Sequence, residues 1–112
     1  MVLHDYTSNS GKDLIMAYLD SLPDEERADG LSVMKCMEKN EFDKILYKRW
    51  EKKVYEVYFR KHNRIFYVTV DAENIYLLHA CRKQKNKTEK KDSTIVKKRA
   101  KELGVLLGKK II

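Results

Sequence analysis

Apolar positions separated by short polar breaks are densest between Val54 and Cys81. Three runs there, Val54–Arg60, Arg64–Val70 and Ile75–Cys81, are rich in β-branched and aromatic residues. Polar breaks at residues 61–63 and 71–74 separate them, so the pattern predicts a three-strand meander. Upstream the period lengthens. Leu14, Ile15, Tyr18 and Leu19 share one face of a helix over about residues 10–20, with Ser8 and Ser10 as capping side chains. Pro23 disfavours helix in the residue before it and opens a second helix near residues 24–39. That helix carries Leu31, Met34 and Met37 as a core-facing stripe, and Asp24, Glu25 and Glu26 at its positive end. Residues 40–50, with Phe42, Ile45, Leu46 and Trp50, fit a short helix, a strand or a packed connection. Thr88 or Asp92 can cap a last helix running to about Leu107, with Gly104 placed to end it early. A short leading strand over Val2–Tyr6 can join the sheet. This order predicts one α+β domain over residues 1–112: a small antiparallel sheet on an N-terminal helical hairpin, with a C-terminal helix.

Charge adds a direction to this picture. The chain has a formal net charge of +7. Residues 1–50 hold 7 Lys and Arg against 10 Asp and Glu, whereas residues 51–112 hold 17 against 7. So wide a split implies one electropositive face that attracts phosphates. Arg82, Lys83, Lys85 and Lys87 follow the third meander strand directly, and a cation cluster beside a small sheet suits RNA. Cys36 and Cys81 form no C-x-x-C and show no companion His at ligand spacing, so both read as packing residues in a reducing compartment. His4, His62 and His79 are too scattered to suggest a metal site. No apolar run approaches the ~20 residues that span a bilayer, and no signal core opens the chain, so a cytoplasmic protein without membrane contact is expected.

Strand alternation puts Glu56, Tyr58 and Arg60 on one face and Tyr55, Val57 and Phe59 on the other. Two readings stay open there. Glu56 pairs with a cation while Tyr58 covers sheet surface, or Tyr58 and Arg60 line an RNA groove by stacking and phosphate contact. Arg64 and Tyr67 invite the same choice. Lys90, Lys91, Lys97 and Lys98 fit either a solvated helix face or contact with ribosomal RNA, in which case binding weakens steeply with salt.

With its elements in this order, the chain resembles the RelE/ParE superfamily of bacterial toxins, and within it the HigB-like branch that includes phage-derived relatives. The resemblance rests on Tyr18-Leu-Asp-Ser-Leu-Pro-Asp-Glu-Glu-Arg-Ala28 at the helix–turn–helix junction. It extends to Val54–Val57 and Arg64–Val68 in the first two meander strands, and to Leu77–Lys83 followed by Lys87 and Thr88 at the exit of the third. It implies a type II toxin that cleaves mRNA on the ribosome without a metal or cofactor and is silenced by a cognate antitoxin, for HigB-like relatives a helix-turn-helix HigA-like protein. It also raises His79 to a candidate. The chain departs from that pattern where relatives often carry arginine, having Tyr58 and Tyr67, and where two lysines often adjoin, having Lys83 and Gln84.

Metal-free RNA cleavage uses the 2′-hydroxyl to attack the adjacent phosphorus and expels the 5′-oxygen. Lys83, Lys85, Lys87 and Arg64 are the residues expected to stabilise the developing phosphate charge. Tyr58 and His79 are expected to orient RNA or move protons. Arg60, Tyr67, Arg82, Lys90, Lys91, Lys97 and Lys98 are the expected RNA and ribosome contacts. A non-catalytic RNA- or antitoxin-binding protein and a gyrase-directed ParE-like toxin are the alternatives. Acidic residues do not cluster at metal-ligand spacing.

Overall fold

The computed structural model describes residues 1–60, 62–83 and 88–112. The chain runs β1 (Val2–Asp5), α1 (Leu14–Asp20), α2 (Asp24–Glu38), a 3-10 turn (Phe42–Lys44), β2 (Leu46–Glu51), β3 (Val54–Phe59), β4 (Asn63–Thr69), β5 (Asn74–Arg82) and α3 (Lys90–Leu107). The strands form one sheet in the order β1-β5-β4-β3-β2. The β2 to β5 pairs are antiparallel, as tight connections require, while β1 joins β5 in parallel. The α+β class and the three meander strands therefore agree with the sequence pattern. Residues 40–50 resolve into the 3-10 turn and the edge strand β2.

Both faces of the sheet are covered, by different helices. Ile15 and Leu19 of α1 and Met34 and Met37 of α2 pack on Val57, Phe59, Ile65, Tyr67, Ile75 and Leu77. Val96, Ala100 and Leu103 of α3 pack on Val54, Phe66, Val68, Leu78 and Cys81 across the sheet. The stripe of α2 differs from the expected one. Leu31 is exposed, and Gly30, Val33, Met34 and Met37 face inward at helical spacing. Gly30 makes the close approach possible, since a Cβ there would lie 2.6 Å from Leu19 Cδ2.

Caps explain the helix ends. Ser8 and Ser10 do not cap α1; Ser8 Oγ instead accepts from the Lys12 amide in a preceding turn. Asp13 Oδ1 accepts from the Ile15 and Met16 amides at 3.0 and 2.9 Å, so the helix begins at Leu14. α2 ends on Asn40 at φ 58°, with the Glu41 amide donating to the Cys36 carbonyl at 2.8 Å. Gly104 does not terminate α3. Gly108 does, in the left-handed region at φ 65°. Gly104 serves another purpose: a Cβ there would sit 2.6 Å from the Lys109 carbonyl oxygen, so only glycine lets the C-terminal turn fold back. Gly104→Ala is therefore expected to destabilise by ~1–3 kcal/mol through overpacking, although alanine is the better helix former by ~1 kcal/mol. Urea unfolding measures the sign directly.

β1 brings a pH-sensitive carboxyl into the fold. Burial pushes Asp5 up to about 7, helped by the hydrogen bond that its protonated carboxyl donates to Asp13 and by the charges of Asp13 and Glu38. The folded state thus holds this proton more tightly than the unfolded chain, whose aspartates titrate near ~3.9. The stabilisation is complete below the unfolded value and is lost as pH rises through about 7. Asp5→Asn should match the wild type in acid and exceed it at pH ~8, measured as a difference in urea midpoint. Among the described residues, no helix is long and apolar enough to cross a membrane.

Candidate functional site

Alternation along β3 and β4 aims Glu56, Tyr58, Arg64 and Phe66 at the α3 face of the sheet. α3 covers only part of that face. Towards β2, Lys48 and Leu46 are exposed beside Tyr58. At the start of α3, Arg64 donates to Thr88 Oγ1 at 2.8 Å. The Tyr58 ring lies at the centre of this open end. Lys48 Nζ is 5.5 Å from its centroid, Lys83 Nζ 5.4 Å and Arg64 Cζ 5.8 Å. Three cations, from β2, β4 and the residue after β5, therefore converge on one aromatic ring, which attracts them through its electron-rich face.

Under that ring sits a buried pair. Glu56 is 1% exposed and Arg64 3% exposed, with Arg64 Nη1 3.5 Å from Glu56 Oε1. The Tyr58 hydroxyl donates to the same carboxylate oxygen. Burial first, and then this bond to Glu56, push the Tyr58 phenol well above its usual range. Tyr58 is thus a neutral hydrogen-bond donor rather than a base. Among the described residues, Arg64 Nε is a fully buried donor without a partner.

His79 reaches the same face through a β-bulge. The pairing of β4 with β5 shifts between Phe66 and Tyr67, so Leu78 is passed over and both His79 and Cys81 turn towards α3. His79 Nε2 is 2.8 Å from Asp92 Oδ1, and Nδ1 is 3.4 Å from Arg99 Nη1. Guanidinium can only donate, so Nδ1 accepts and the ring proton belongs on Nε2, facing the carboxylate. Burial lowers the His79 pKa against the opposing pull of Asp92. Both nitrogens are occupied, and the ring ties α3 to the sheet. Arg99 also donates to the Leu78 carbonyl at 2.8 Å.

The absence of a companion His for Cys81 is corrected here. His79, Cys81 and Asp92 place their ligand atoms within 4.8 Å of one another. The donor set nevertheless suits a metal poorly. Burial pushes the Cys81 thiol up to about 12, far from the thiolate a metal needs. A metal on Nε2 would also turn an Nδ1–H towards Arg99, where a metal-bound histidine wants an acceptor.

The remaining candidates separate. Tyr67 does not share the face of Tyr58: it is 2% exposed and faces the helical hairpin, because it is one residue out of phase with Phe66. Arg60 has left the strand at φ 49° and binds Asp29, with Glu25 3.7 Å away. Arg82 pairs with Glu26 at 3.1 Å. Both arginines thus answer the acidic start of α2. Lys90, Lys91, Lys97 and Lys98 are exposed along α3, with Lys97 3.7 Å from Glu51. Lys85 and Lys87 lie outside the described residues. Sequence reasoning missed Lys48, because Leu46-Tyr-Lys-Arg-Trp50 shows no regular alternation of apolar and polar residues.

The sequence model of a family described as phage-derived protein Gp49-like (DUF891) matches residues 17–101. The match spans α1 to the body of α3, and the chain belongs to this family. No curated protein matches it. The family is one of RelE-like toxins, which fits a toxin of the toxin–antitoxin kind.

Proposed function

We propose that this chain is the HigB-like toxin of a type II pair, a cytoplasmic, metal-independent endonuclease that cuts mRNA on the ribosome. One observation carries the reading: Lys48, Lys83 and Arg64 converge on Tyr58 at the uncovered end of the sheet. A phosphate settling there meets fixed positive charge in a partly dehydrated place, where it stabilises developing negative charge most. Lys48 and Lys83 are the cations for that task, and Lys85 and Lys87 follow in the sequence. Arg64 is too buried to leave Glu56, so it positions Tyr58.

The 2′-oxygen forms a bond to phosphorus while the bond to the 5′-oxygen breaks, leaving a cyclic phosphate and a 5′-hydroxyl. On substrate binding the Tyr58 hydroxyl turns its one proton from Glu56 to a phosphate oxygen, leaving Arg64 to hold the carboxylate. One lysine of the strand exit takes the 2′ proton, and a second, protonated lysine gives a proton to the departing 5′-oxygen. His79 acts through Asp92 by fixing α3, not by touching RNA. The partner in this reading is a helix-turn-helix HigA-like antitoxin that covers the basic face.

Inducing the protein in a bacterium should stop growth and leave cut transcripts, and co-expressing its antitoxin should restore growth. Intact transcripts with normal growth would overturn the nuclease. A DNA-damage response without mRNA cuts would favour a gyrase-directed toxin instead.

A further inference from the structure

A groove of about 740 Å³ lies on the sheet face opposite Tyr58, beyond the end of the helical hairpin. Its wall is a run of aromatic rings. Phe42 contacts Tyr47 edge-on at 5.5 Å and Tyr67 at 6.0 Å, and Tyr55 bridges Tyr47 and Tyr67 at 6.5 and 6.0 Å between centroids. Tyr47 is 48% exposed, a large amount for an aromatic residue on an edge strand.

Two further features point to a ligand. The first is Tyr67. It is nearly wholly buried, lines the groove, and its hydroxyl has no hydrogen-bond partner among the described residues. Arg64 Nε is the single sealed side-chain atom without a partner there, so the Tyr67 oxygen touches the open groove. The second is charge. Arg49, Lys52 and Lys53 stand on the rim against Asp71. Arg49 is held in place by donating to the Lys52 carbonyl at 2.8 Å.

We propose that this groove is a second site for single-stranded RNA: a base stacks on the Tyr47 wall, the Tyr67 hydroxyl meets its polar edge, and the rim cations take the phosphates. Flat rings with a phenol at the floor and cations at the edge match the three parts of a nucleotide. An acidic peptide would satisfy the cations but leave the stacking surface and the buried hydroxyl without a counterpart. A second copy of this chain would bring like charges to the same edge. The site extends the proposed function, because Tyr47 and Lys48 are consecutive residues of β2 and point to opposite faces. An RNA strand leaving the groove has only the sheet edge to cross before it reaches Tyr58.

A 2′-O-methylated trinucleotide, too short to span both faces and lacking the attacking hydroxyl, tests this with the purified full chain by NMR titration. Saturable shifts are expected at Tyr47, Arg49, Lys52 and Lys53. Tyr47→Ala should weaken binding by ~10-fold or more, within the range for loss of one base stack. Tyr67→Phe, which keeps the ring and the fold, should weaken it by ~3- to 10-fold for one lost hydrogen bond. Shifts confined to Lys48, Tyr58 and Lys83, or a glutamate-rich peptide that binds the groove as well and loses as much in Tyr67→Phe, would overturn the proposal. Binding is read without cleavage, so the two readings fail separately. Groove binding by a protein that cuts nothing removes the nuclease alone, and cleavage by a protein with an unresponsive groove removes this site alone.

Discussion

Arg64→Met is expected to cost about 3–5 kcal/mol of folding stability, the usual range for breaking a buried ion pair from one side. The methionine fills much of the same volume, so the loss is electrostatic. It strands the Glu56 carboxylate, 1% exposed, with the Tyr58 hydroxyl as its remaining partner. The hydrogen bond to Thr88 Oγ1, which ties the start of α3 to β4, goes as well. The double variant Glu56→Leu with Arg64→Met should recover a large part of the loss, because no uncompensated charge is left behind. Urea unfolding of the single and double variants decides it. A single variant within ~1 kcal/mol of wild type would mean that Glu56 is already hydrated or protonated.

The second large effect concerns activity. Lys83→Met and Tyr58→Phe are each expected to lower mRNA cleavage by about 10²-fold or more, as removal of one preorganised donor from a charge-stabilising site does. Lys48→Met should act in the same direction. Lys48 is exposed, so its replacement should leave stability within ~0.5 kcal/mol of wild type. That separates the lysine variants from Arg64→Met, whose effect on cleavage follows from unfolding and a displaced ring. His79→Gln belongs with the second kind. It should loosen α3 by removing a ring held by Asp92 and Arg99, with its effect on cleavage no larger than its effect on stability.

How far the sequence carries differs between elements for physical reasons. The three meander strands were legible because each buries at least one face and so is dense in β-branched and aromatic residues between polar breaks. α2 was legible in extent, but its inner face was misjudged. A glycine carries no apolar signal, and only the packed structure shows Leu19 lying against Gly30. β2 was not legible, since an edge strand with Lys48 and Arg49 looks like any polar connection. This hid Lys48 from the site.

The bulge at Leu78 had the largest consequence. Strict alternation from Ile75 would send His79 into the helical hairpin, and one extra residue sends it to Asp92 instead. Glu56 as the partner of a cation was foreseeable, and the structure names that cation as Arg64. Arg60 and Arg82 attracted attention by charge alone, and their carboxylate partners lie far away in sequence, on α2.

The most direct test follows ribosome-bound mRNA in a purified translation mixture, mapping 5′ ends by primer extension with wild type, Lys83→Met and Tyr58→Phe. Discrete cuts by wild type, falling by ~10²-fold in both variants while the unfolding midpoint of Lys83→Met stays unchanged, are the predicted result. Undiminished cuts in both folded variants would contradict a reaction centred on the Tyr58 ring.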